Sequence, residues 1–270
     1  MIFSALVLTL NEEVQIEDCL RSLSDALRVL VVDCGSTDRT LELVASFPRT
    51  RVIRRPFVSF SDQRNHGVET GFEPGEWVLH LDADERLTPE LAAEIRRLSP
   101  PESAVAFNVA SRTFLRGKPV LRASGYPVFQ TRLTRVGRFH FEEVGHAQKA
   151  PARFGSLPRL SHPYDHHPFE KGYAVWRERH HRYAQREVEN LLSLRQRRPL
   201  QQALRDPIAR RQWLNHATRR LPFRAELVWV YLMFLRRGVL DGPAGWEYCR
   251  LRWLYERLIR TKLHEQLASR

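Results

Sequence analysis

Cysteine is scarce in this chain of 270 residues. Cys19, Cys34 and Cys249 make an odd number of three, and their spacings are unrelated. This usage matches neither a disulfide framework nor the paired cysteines of a zinc site. It argues against a disulfide-stapled secreted scaffold and predicts a protein of the reducing cytosol.

The chain also lacks a long apolar run. The longest spans residues 227–235, whereas a helix that crosses a bilayer needs about 20 apolar residues. The N-terminus is apolar, but no basic region precedes it, and Glu12 and Glu13 follow at once. This pattern predicts a first strand and not a signal peptide.

Acidic residues are few in the second part of the chain. Residues 1–150 carry 19 basic and 20 acidic side chains, whereas residues 151–270 carry 24 basic and 11 acidic ones. The net charge of +12 therefore lies in the second part. Such asymmetry indicates an anionic partner there: a membrane surface, a nucleic acid or a phosphorylated acceptor.

What the first part does contain is a regular alternation of strands and helices. Its hydrophobic fraction is typical of a folded core, at 43% for the whole chain. Apolar runs predict strands at residues 2–10, 29–32, 51–54 and 77–81. Helical spacing and turn residues predict helices between and after them, the first capped by Asn11 and the others at 39–47, 61–70 and 88–98. This order predicts a mostly parallel sheet covered on both faces.

The pattern changes after Pro100 and Pro101. Short strands are predicted at 105–109, 129–136 and 139–144, with a hairpin at 114–121 that turns at Gly117 and Lys118. From residue 168 onward the pattern is helical, with helices predicted at 172–193, 201–220, 222–237 and 246–267.

The stretch from Trp77 to Glu85 is the centre of the functional argument. A buried strand runs directly into Asp82, Ala83 and Asp84, and ligands bind outside the carboxyl ends of strands in open α/β sheets. Two carboxylates there can hold a divalent cation, which in turn holds a diphosphate. Both acids could instead cap the next helix. Thr88 and Pro89 already start that helix, so the sequence favours the metal site.

Four segments together resemble a known family. Leu8 to Glu12, Val31 to Asp38, Gln63 to Asn65 and Leu81 to Glu85 occur in this order at the ends of successive elements. They resemble family 2 glycosyltransferases of the GT-A fold, especially bacterial lipopolysaccharide-core and exopolysaccharide glucosyltransferases with an Asp-Ala-Asp-Glu signature. Residues 164–172 are similar to the second half of some of these enzymes, so the resemblance covers roughly residues 1–190.

The resemblance implies an α/β fold of GT-A type, with a mixed, mostly parallel sheet flanked by helices. It implies a catalytic domain at residues 1–165, with a nucleotide-sugar half at 1–100 and an acceptor half at 101–165. Residues 166–270 would form a helical, basic C-terminal region. The implied reaction is an inverting, metal-dependent transfer of a hexose from a UDP-linked donor to a bacterial lipopolysaccharide, exopolysaccharide or lipid-linked glycan.

The implied donor-binding residues are Thr9, Glu12, Asp33, Arg64 and Asp82. Asp33 would accept a hydrogen bond from the base, and Arg64 would donate to the base or the diphosphate. Three of them have a simpler interpretation. Asp33 can form a turn before Gly35, Glu12 can complement a helix dipole, and Arg64 can lie on a solvated helix face.

The implied cofactor is Mg²⁺ or Mn²⁺. Asp84 would bind it directly, Asp82 would face the ribose or the metal, and a late histidine, His162 or His166, would complete the site. The alternative is that these histidines lie on a surface loop. No cysteine pair accompanies them, which argues against zinc.

The implied inverting displacement needs a carboxylate that takes the proton of the acceptor hydroxyl. Glu142 and Glu143 are the candidates, because the family often has a His-Glu pair here and this chain reads His140-Phe141-Glu142-Glu143. We prefer Glu143. A solvent-facing strand end is the competing interpretation.

The C-terminal helices combine arginine with aromatic residues, and such helices can lie in a membrane interface. We therefore expect peripheral contact with the inner face of the cell membrane; the alternative is packing on the catalytic domain or on a second subunit. The basic charge also suggests a nucleic-acid-binding protein, but no recognition motif accompanies it, and no nucleic-acid partner is expected. A sugar-phosphate nucleotidyltransferase ranks lower, because residues 9–13 lack the glycine-rich basic loop of that class.

Overall fold

A computed structural model describes residues 1–144, 147–194, 218, 221 and 223–268. The chain divides into two compact units. Unit 1 comprises residues 1–114 and 126–170, and unit 2 comprises residues 115–125 and 171–270. This division does not test the domain boundary that is expected after residue 165, which stays a prediction.

The first half of unit 1 alternates strands and helices, as its apolar pattern predicts. The elements, in chain order, are β1 (Ser4–Thr9), α1 (Ile16–Ser22), β2 (Val29–Asp33), α2 (Thr40–Ala45), β3 (Thr50–Arg54), α3 (Phe60–Gly71) and β4 (Trp77–Asp82). The chain continues with β5 (Glu85–Arg86) and α4 (Pro89–Arg97). Thr88 caps α4 by accepting a hydrogen bond from the backbone N–H of Leu91, with Pro89 at the first helical position.

The remaining strands are β6 (Ala106–Leu115), β7 (Lys118–Pro119), β8 (Val128–Arg135), β9 (Glu142–Val144), β10 (Ala147–Lys149) and β11 (Tyr164–His166). A short 3₁₀ helix lies at Ala152–Phe154. The main sheet has the strand order β3-β2-β1-β4-β8-β6-β11-β5. β1, β2, β3 and β4 pair in parallel, and β8 pairs antiparallel with both β4 and β6. This is the mixed, mostly parallel sheet that was predicted.

The two faces of the sheet carry separate cores, because side chains alternate along each strand. On one face Ala5 and Val7 of β1 belong to a buried cluster that includes Ile16 of α1 and Leu91 of α4. On the other face Leu6 and Leu8 pack with Val68 and Phe72, contributed by α3 and the residue that follows it. Helices therefore cover both faces, and the polar ends of the strands are left at one edge.

One capping prediction is wrong. Asn11 does not cap α1, which begins at Ile16 after Gln15 and has no side-chain cap. Asn11 adopts a φ of 54°, and its side-chain oxygen accepts a hydrogen bond from the backbone N–H of Thr37 at 2.8 Å. Because Asn11 is bound to the loop after β2, the helix starts later in the chain.

Unit 2 is largely helical. It contains α5 (Gly172–Leu194), α6 (Arg224–Val230), a π-helical turn (Tyr231–Leu235), a 3₁₀ helix (Gly238–Asp241) and α7 (Gly242–Ala268). Ala184 and Val188 of α5 pack against Ile259 and Leu263 of α7. The helix predicted at 201–220 lies, apart from Thr218, outside the described residues. Within the described part of the chain, no helix has both the length and the apolar character to cross a membrane.

Candidate functional site

The carboxyl ends of β1, β2 and β4 bring three of the predicted residues to one edge of the sheet. Thr9 is in register with Asp33, and Leu8 is in register with Asp82. The backbone N–H of Cys34 donates to the carbonyl of Thr9, which joins the loop after β2 to β1. Parallel strands in register thus place side chains from distant parts of the sequence side by side.

Asp33 organises the loop that follows β2. Its carboxylate accepts hydrogen bonds from the backbone N–H groups of Gly35 and Ser36, both at 3.0 Å, and also from the Ser36 hydroxyl. Asp33 is fully buried, and Gly35 has the positive φ of 101° that this turn requires. The turn-forming interpretation of Asp33 is therefore realised. Recognition of a base by Asp33 stays a prediction.

Thr9 and Glu12 lie at the end of β1. The Thr9 hydroxyl is buried and has no hydrogen-bond partner in the described structure. The backbone N–H of Glu12 donates to the Thr40 hydroxyl at 2.7 Å, which holds this loop against α2. A buried hydroxyl without a partner is a polar group that a ligand can satisfy.

Arg64, the cation predicted to bind the donor, is deeply buried. It lies on α3, and its side chain is 1% exposed. Its Nη2 donates to Asp82 Oδ1 at 2.6 Å, and its Nε donates to Gln148 Oε1 at 2.9 Å. Its Nη1 is buried without a partner. The solvated-face interpretation of Arg64 is therefore wrong, because the residue is a buried donor bound to Asp82.

Arg132 is a second buried cation, and the motifs did not identify it. It lies on β8 and forms an ion pair with Glu85 and a longer one with Asp82, Nη2 to Oδ2 at 3.4 Å. Its Nε donates to the Tyr164 hydroxyl at 3.3 Å, and its guanidinium lies over the Tyr164 ring. Like Arg64, it has a buried Nη1 without a partner. Asp82 therefore lies between two guanidinium groups.

Glu85 links these charges to the backbone. Its Oε2 accepts a hydrogen bond from the backbone N–H of Asp82 at 2.9 Å, and its side chain is 2% exposed. Burial raises the pKa of Glu85 to about 7, although the neighbouring Arg132 acts in the opposite direction. Glu85 stands in the recognised Asp-Ala-Asp-Glu segment, but the sequence did not assign it a role.

Asp84 and His166 come together through the pairing of β11 with β5. His166 Nε2 lies 3.5 Å from Asp84 Oδ2, and His167 donates its backbone N–H to the Asp84 carbonyl at 2.8 Å. Burial lowers the pKa of His166, but the charge of Asp84 and its hydrogen bond outweigh burial and raise it overall. Asp84 and one of the two candidate histidines, His166, are thus in contact, and their role as metal ligands stays a prediction.

The side chains of Asp84 and His166 suit a metal ion that the protein coordinates only in part. In the described portion of the chain, no group of three or more histidine, cysteine or acidic side chains forms a complete metal cage. Mg²⁺ usually needs fewer protein ligands, because one or two carboxylates and the substrate phosphates bind it together with water. Asp84 supplies one such carboxylate, and His166 lies beside it. Asp82 already has both of its oxygens near guanidinium groups, which favours Asp84 as the direct ligand.

The structure does not bring His162 into this group. Its Nδ1 lies 3.0 Å from Glu94 Oε2, and its backbone N–H donates to the same carboxylate at 2.9 Å. Glu94 lies on α4, so His162 ties the chain before β11 to that helix. Of the two predicted histidines, His166 is the one beside Asp84.

Glu142 and Glu143 lie on the two-stranded ribbon of β9 and β10, and both are exposed. Glu143 is paired with Gln148, and Glu142 is paired with Lys149. Directly paired residues of an antiparallel ribbon project from the same face. Glu143 therefore shares its face with Gln148, the partner of Arg64, and Glu142 projects from the opposite face.

Asn65 anchors the chain immediately before this ribbon. Its Nδ2 donates to the Phe141 carbonyl and its Oδ1 accepts from the Phe141 N–H, both at 2.9 Å. Asn65 follows Arg64 on α3, so one helix holds both the buried cation and the base of the ribbon. This explains physically why the Gln63-Arg64-Asn65 segment belongs with the other motifs.

The model of the family described as "Glycosyl transferase family 2" matches residues 4–142, which span β1 to the start of the ribbon. The chain belongs to glycosyl transferase family 2. This membership confirms the resemblance to family 2 glycosyltransferases. The predicted α/β architecture is confirmed by the sheet itself.

The curated relatives of this family 2 chain match part of it. It is 34% identical over 169 residues to the lipopolysaccharide core biosynthesis glycosyltransferase LpsC of Rhizobium meliloti (strain 1021), with 57% of this chain and 61% of LpsC covered. It is 37% identical over 93 residues to an uncharacterized glycosyltransferase of Rickettsia bellii (strain RML369-C), with 34% and 31% covered. The chain thus spans less than two thirds of these relatives.

The similar solved structures share low sequence identity with this chain. TarS of S. aureus, residues 1–349, in complex with UDP-GlcNAc shares 17% identity with a TM-score of 0.48, covering 100% of this chain and 93% of that one. Glucosyl-3-phosphoglycerate synthase of Mycobacterium tuberculosis with Mn²⁺ and UDP shares 23% identity with a TM-score of 0.32, covering 43% and 44%.

Proposed function

We propose that this family 2 chain is an inverting, divalent-metal-dependent hexosyltransferase that uses a UDP-linked donor. The observation that supports it most is the meeting of Asp82, Arg64 and Arg132 at the strand ends, beside the Asp84–His166 pair. We assign residues 1–165 to the catalytic domain, with the donor bound by 1–100 and the acceptor by 101–165. We assign residues 166–270 to the basic C-terminal region, and its first residue, His166 at the end of β11, still contributes to the proposed site.

The diphosphate of the nucleotide sugar would meet hydrogen-bond donors that are already buried. Arg64 Nη1 and Arg132 Nη1 have no partner in the described structure, and a buried guanidinium N–H gains most from an anionic acceptor. Asp82 keeps both guanidinium groups oriented, and Thr9 offers its unsatisfied hydroxyl to the nucleoside. Asp33, Glu12 and Thr9 belong to the two loops where the family binds the base.

Asp84 and His166 would hold Mg²⁺ or Mn²⁺, with Asp82 close by. When bound, the metal supplies positive charge that stabilises the nucleoside diphosphate as it leaves. His166 must then be neutral to act as a ligand, so its raised pKa makes metal binding weaker at acidic pH.

Glu143 is the proposed base. It takes the proton of the acceptor hydroxyl as the acceptor oxygen bonds to the anomeric carbon and the bond from that carbon to the phosphate oxygen breaks. The anomeric centre inverts, and the nucleoside diphosphate leaves. The pairing of Glu143 with Gln148 supports this choice over Glu142.

The proposed acceptor class rests on the name of the relative LpsC and not on the geometry of the candidate site. LpsC is named for lipopolysaccharide core biosynthesis, and we propose a lipopolysaccharide, exopolysaccharide or lipid-linked glycan as acceptor here. Such acceptors place the enzyme in the cytoplasm, at the inner face of the cell membrane. We expect no nucleic-acid partner.

Thermal-shift measurements with UDP-, GDP- and dTDP-sugars, with and without Mn²⁺, test the donor and the metal together. We expect UDP-sugars to stabilise the protein in a Mn²⁺-dependent way, and Asp84→Asn to lose the metal-dependent part while remaining folded. Full transfer activity in Asp84→Asn, or in excess chelator, would contradict the metal site.

The base is tested by a matched pair of variants. Glu143→Gln is expected to lower kcat by about 10²-fold or more with donor binding unchanged. Glu142→Gln is adjacent, equally conservative and on the other face, so it should keep near wild-type activity. The reverse ranking would assign the base to Glu142, and no loss in either variant would remove both.

A further inference from the structure

Unit 2 presents a row of apolar side chains to solvent. This row, called here the apolar stripe, consists of Leu227, Val230, Tyr231, Phe234 and Leu235, spaced three and four residues apart along α6 and the π-helical turn. Residues at this spacing share one face of a helix. Every member is exposed, from 44% for Val230 to 73% for Leu235. An amphipathic face of this kind normally packs on a partner.

Neighbouring side chains extend the apolar stripe. The Trp229 ring lies 6.0 Å from the ring of Phe234 and 5.5 Å from that of Trp246 at the start of α7. Trp246 is itself 52% exposed, and Leu240 on the 3₁₀ helix is 60% exposed. The exposed surface thus joins three consecutive elements. Tryptophan and tyrosine side chains, apolar with a polar tip, are enriched where water meets lipid.

Positive charges predominate around the apolar stripe, which Glu226 directly precedes. Arg236 and Arg237 follow it directly, and Arg250 is exposed on α7. None of these three forms an ion pair among the described residues, since the carboxylates Glu256 and Glu247 of α7 pair with other arginines. The sequence from 195 to 220 adds eight arginines and one acidic residue just before α6.

We propose that the apolar stripe docks on the surface of an anionic phospholipid membrane, with its aromatic and aliphatic side chains in the headgroup region and the arginines on lipid phosphates. Apolar burial and attraction to anionic lipids together stabilise such peripheral binding. A second copy of the chain fits less well, because it would bring two arginine-rich borders together. A nucleic acid would leave the aliphatic side chains uncovered. The proposal depends on unit 2 alone and not on the proposed transfer reaction.

Flotation of the full chain with lipid vesicles tests this proposal. We expect binding to vesicles of phosphatidylcholine with phosphatidylglycerol, weak binding to phosphatidylcholine alone, and weaker binding at high salt. The double variant Phe234→Ser with Leu235→Ser should lower vesicle affinity by about tenfold or more. Arg237→Gln with Arg250→Gln should lower it on the anionic vesicles only.

Leu267→Ser is the matched control. Leu267 is also exposed, at 44%, but it lies near the end of α7 and outside the apolar stripe, so its variant should bind vesicles like the wild type. All substituted side chains are exposed, and unchanged thermal unfolding verifies the fold. Equal vesicle binding by the wild type and the Phe234, Leu235 double variant would overturn the proposal. So would a solution dimer that this double variant dissociates without any vesicle binding by the wild type.

Discussion

The buried ion pair between Arg132 and Glu85 makes the sharpest prediction about this protein. Both side chains are nearly inaccessible, with 3% and 2% exposed. In Arg132→Met the apolar stem remains, but Glu85 becomes a buried carboxylate without its cation. Removing one partner of such a pair costs about 3–5 kcal/mol in the free energy of unfolding. We expect this loss in urea unfolding at about pH 8, because protonation of Glu85 reduces it at lower pH.

A double variant separates the charge from the packing. In Arg132→Met with Glu85→Gln, the amide oxygen can still accept a hydrogen bond from the backbone N–H of Asp82, and neither position of the former ion pair carries a charge. The free energy of unfolding of the double variant should therefore be about 2–3 kcal/mol higher than the sum of the two single losses predicts. Additive losses would show that Arg132 stabilises the protein by packing on Tyr164 and not through its charge.

The pH dependence gives an independent check. Burial already raises the pKa of Glu85 to about 7, and removing Arg132 removes an effect that lowers it, so the folded-state pKa rises further. A carboxyl whose folded pKa is raised stabilises the protein below the unfolded pKa and loses that contribution as pH increases through the folded pKa. Arg132→Met should therefore be much less destabilised at about pH 5 than at about pH 8. A loss that is equal at both values would refute the reasoning.

Three further predictions concern other parts of the molecule. Asn65→Ala removes both hydrogen bonds to Phe141. It should lower transfer activity in steady-state kinetics several-fold, which is more than the decrease in melting temperature measured by calorimetry would account for. Gly67→Ala puts a Cβ 2.6 Å from a Leu6 methyl carbon, and urea unfolding should show a loss of about 1–3 kcal/mol. Burial lowers the pKa of His180 to about 4, so its contribution to stability is lost as pH falls from about 6.5 to about 4. In His180→Phe the free energy of unfolding should therefore depend less on pH in that range.

Several parts of the site could be predicted because they depend on local pattern and simple topology. The apolar runs before Asp33 and Asp82 predict strands, and parallel strands end at a common edge. Their meeting follows from the register of β2 and β4 against β1. The resemblance predicted a late histidine, His162 or His166, at the metal site, and no local signal separated the two.

Other parts could not be predicted, since they depend on pairings between distant residues. Arg132 is 47 residues from Glu85, and Gln148 is 84 residues from Arg64. A basic residue in a short strand of an arginine-rich chain gives no sign that it is buried. The neighbours of Arg132 on β8 are Thr131 and Leu133, so the local pattern does not mark it as buried.

The amino-acid sequence by itself determined the α/β alternation, the acidic strand end at Asp82 and Asp84, and the family, because hydrophobic periodicity and motif order are properties of neighbouring residues. Tertiary structure alone decided which charges are buried together, which face of the ribbon carries Glu143, and that the apolar residues from Leu227 to Leu235 are exposed. The physical reason is that burial and charge pairing are set by what long-range packing brings near a side chain, and a local pattern does not contain that information.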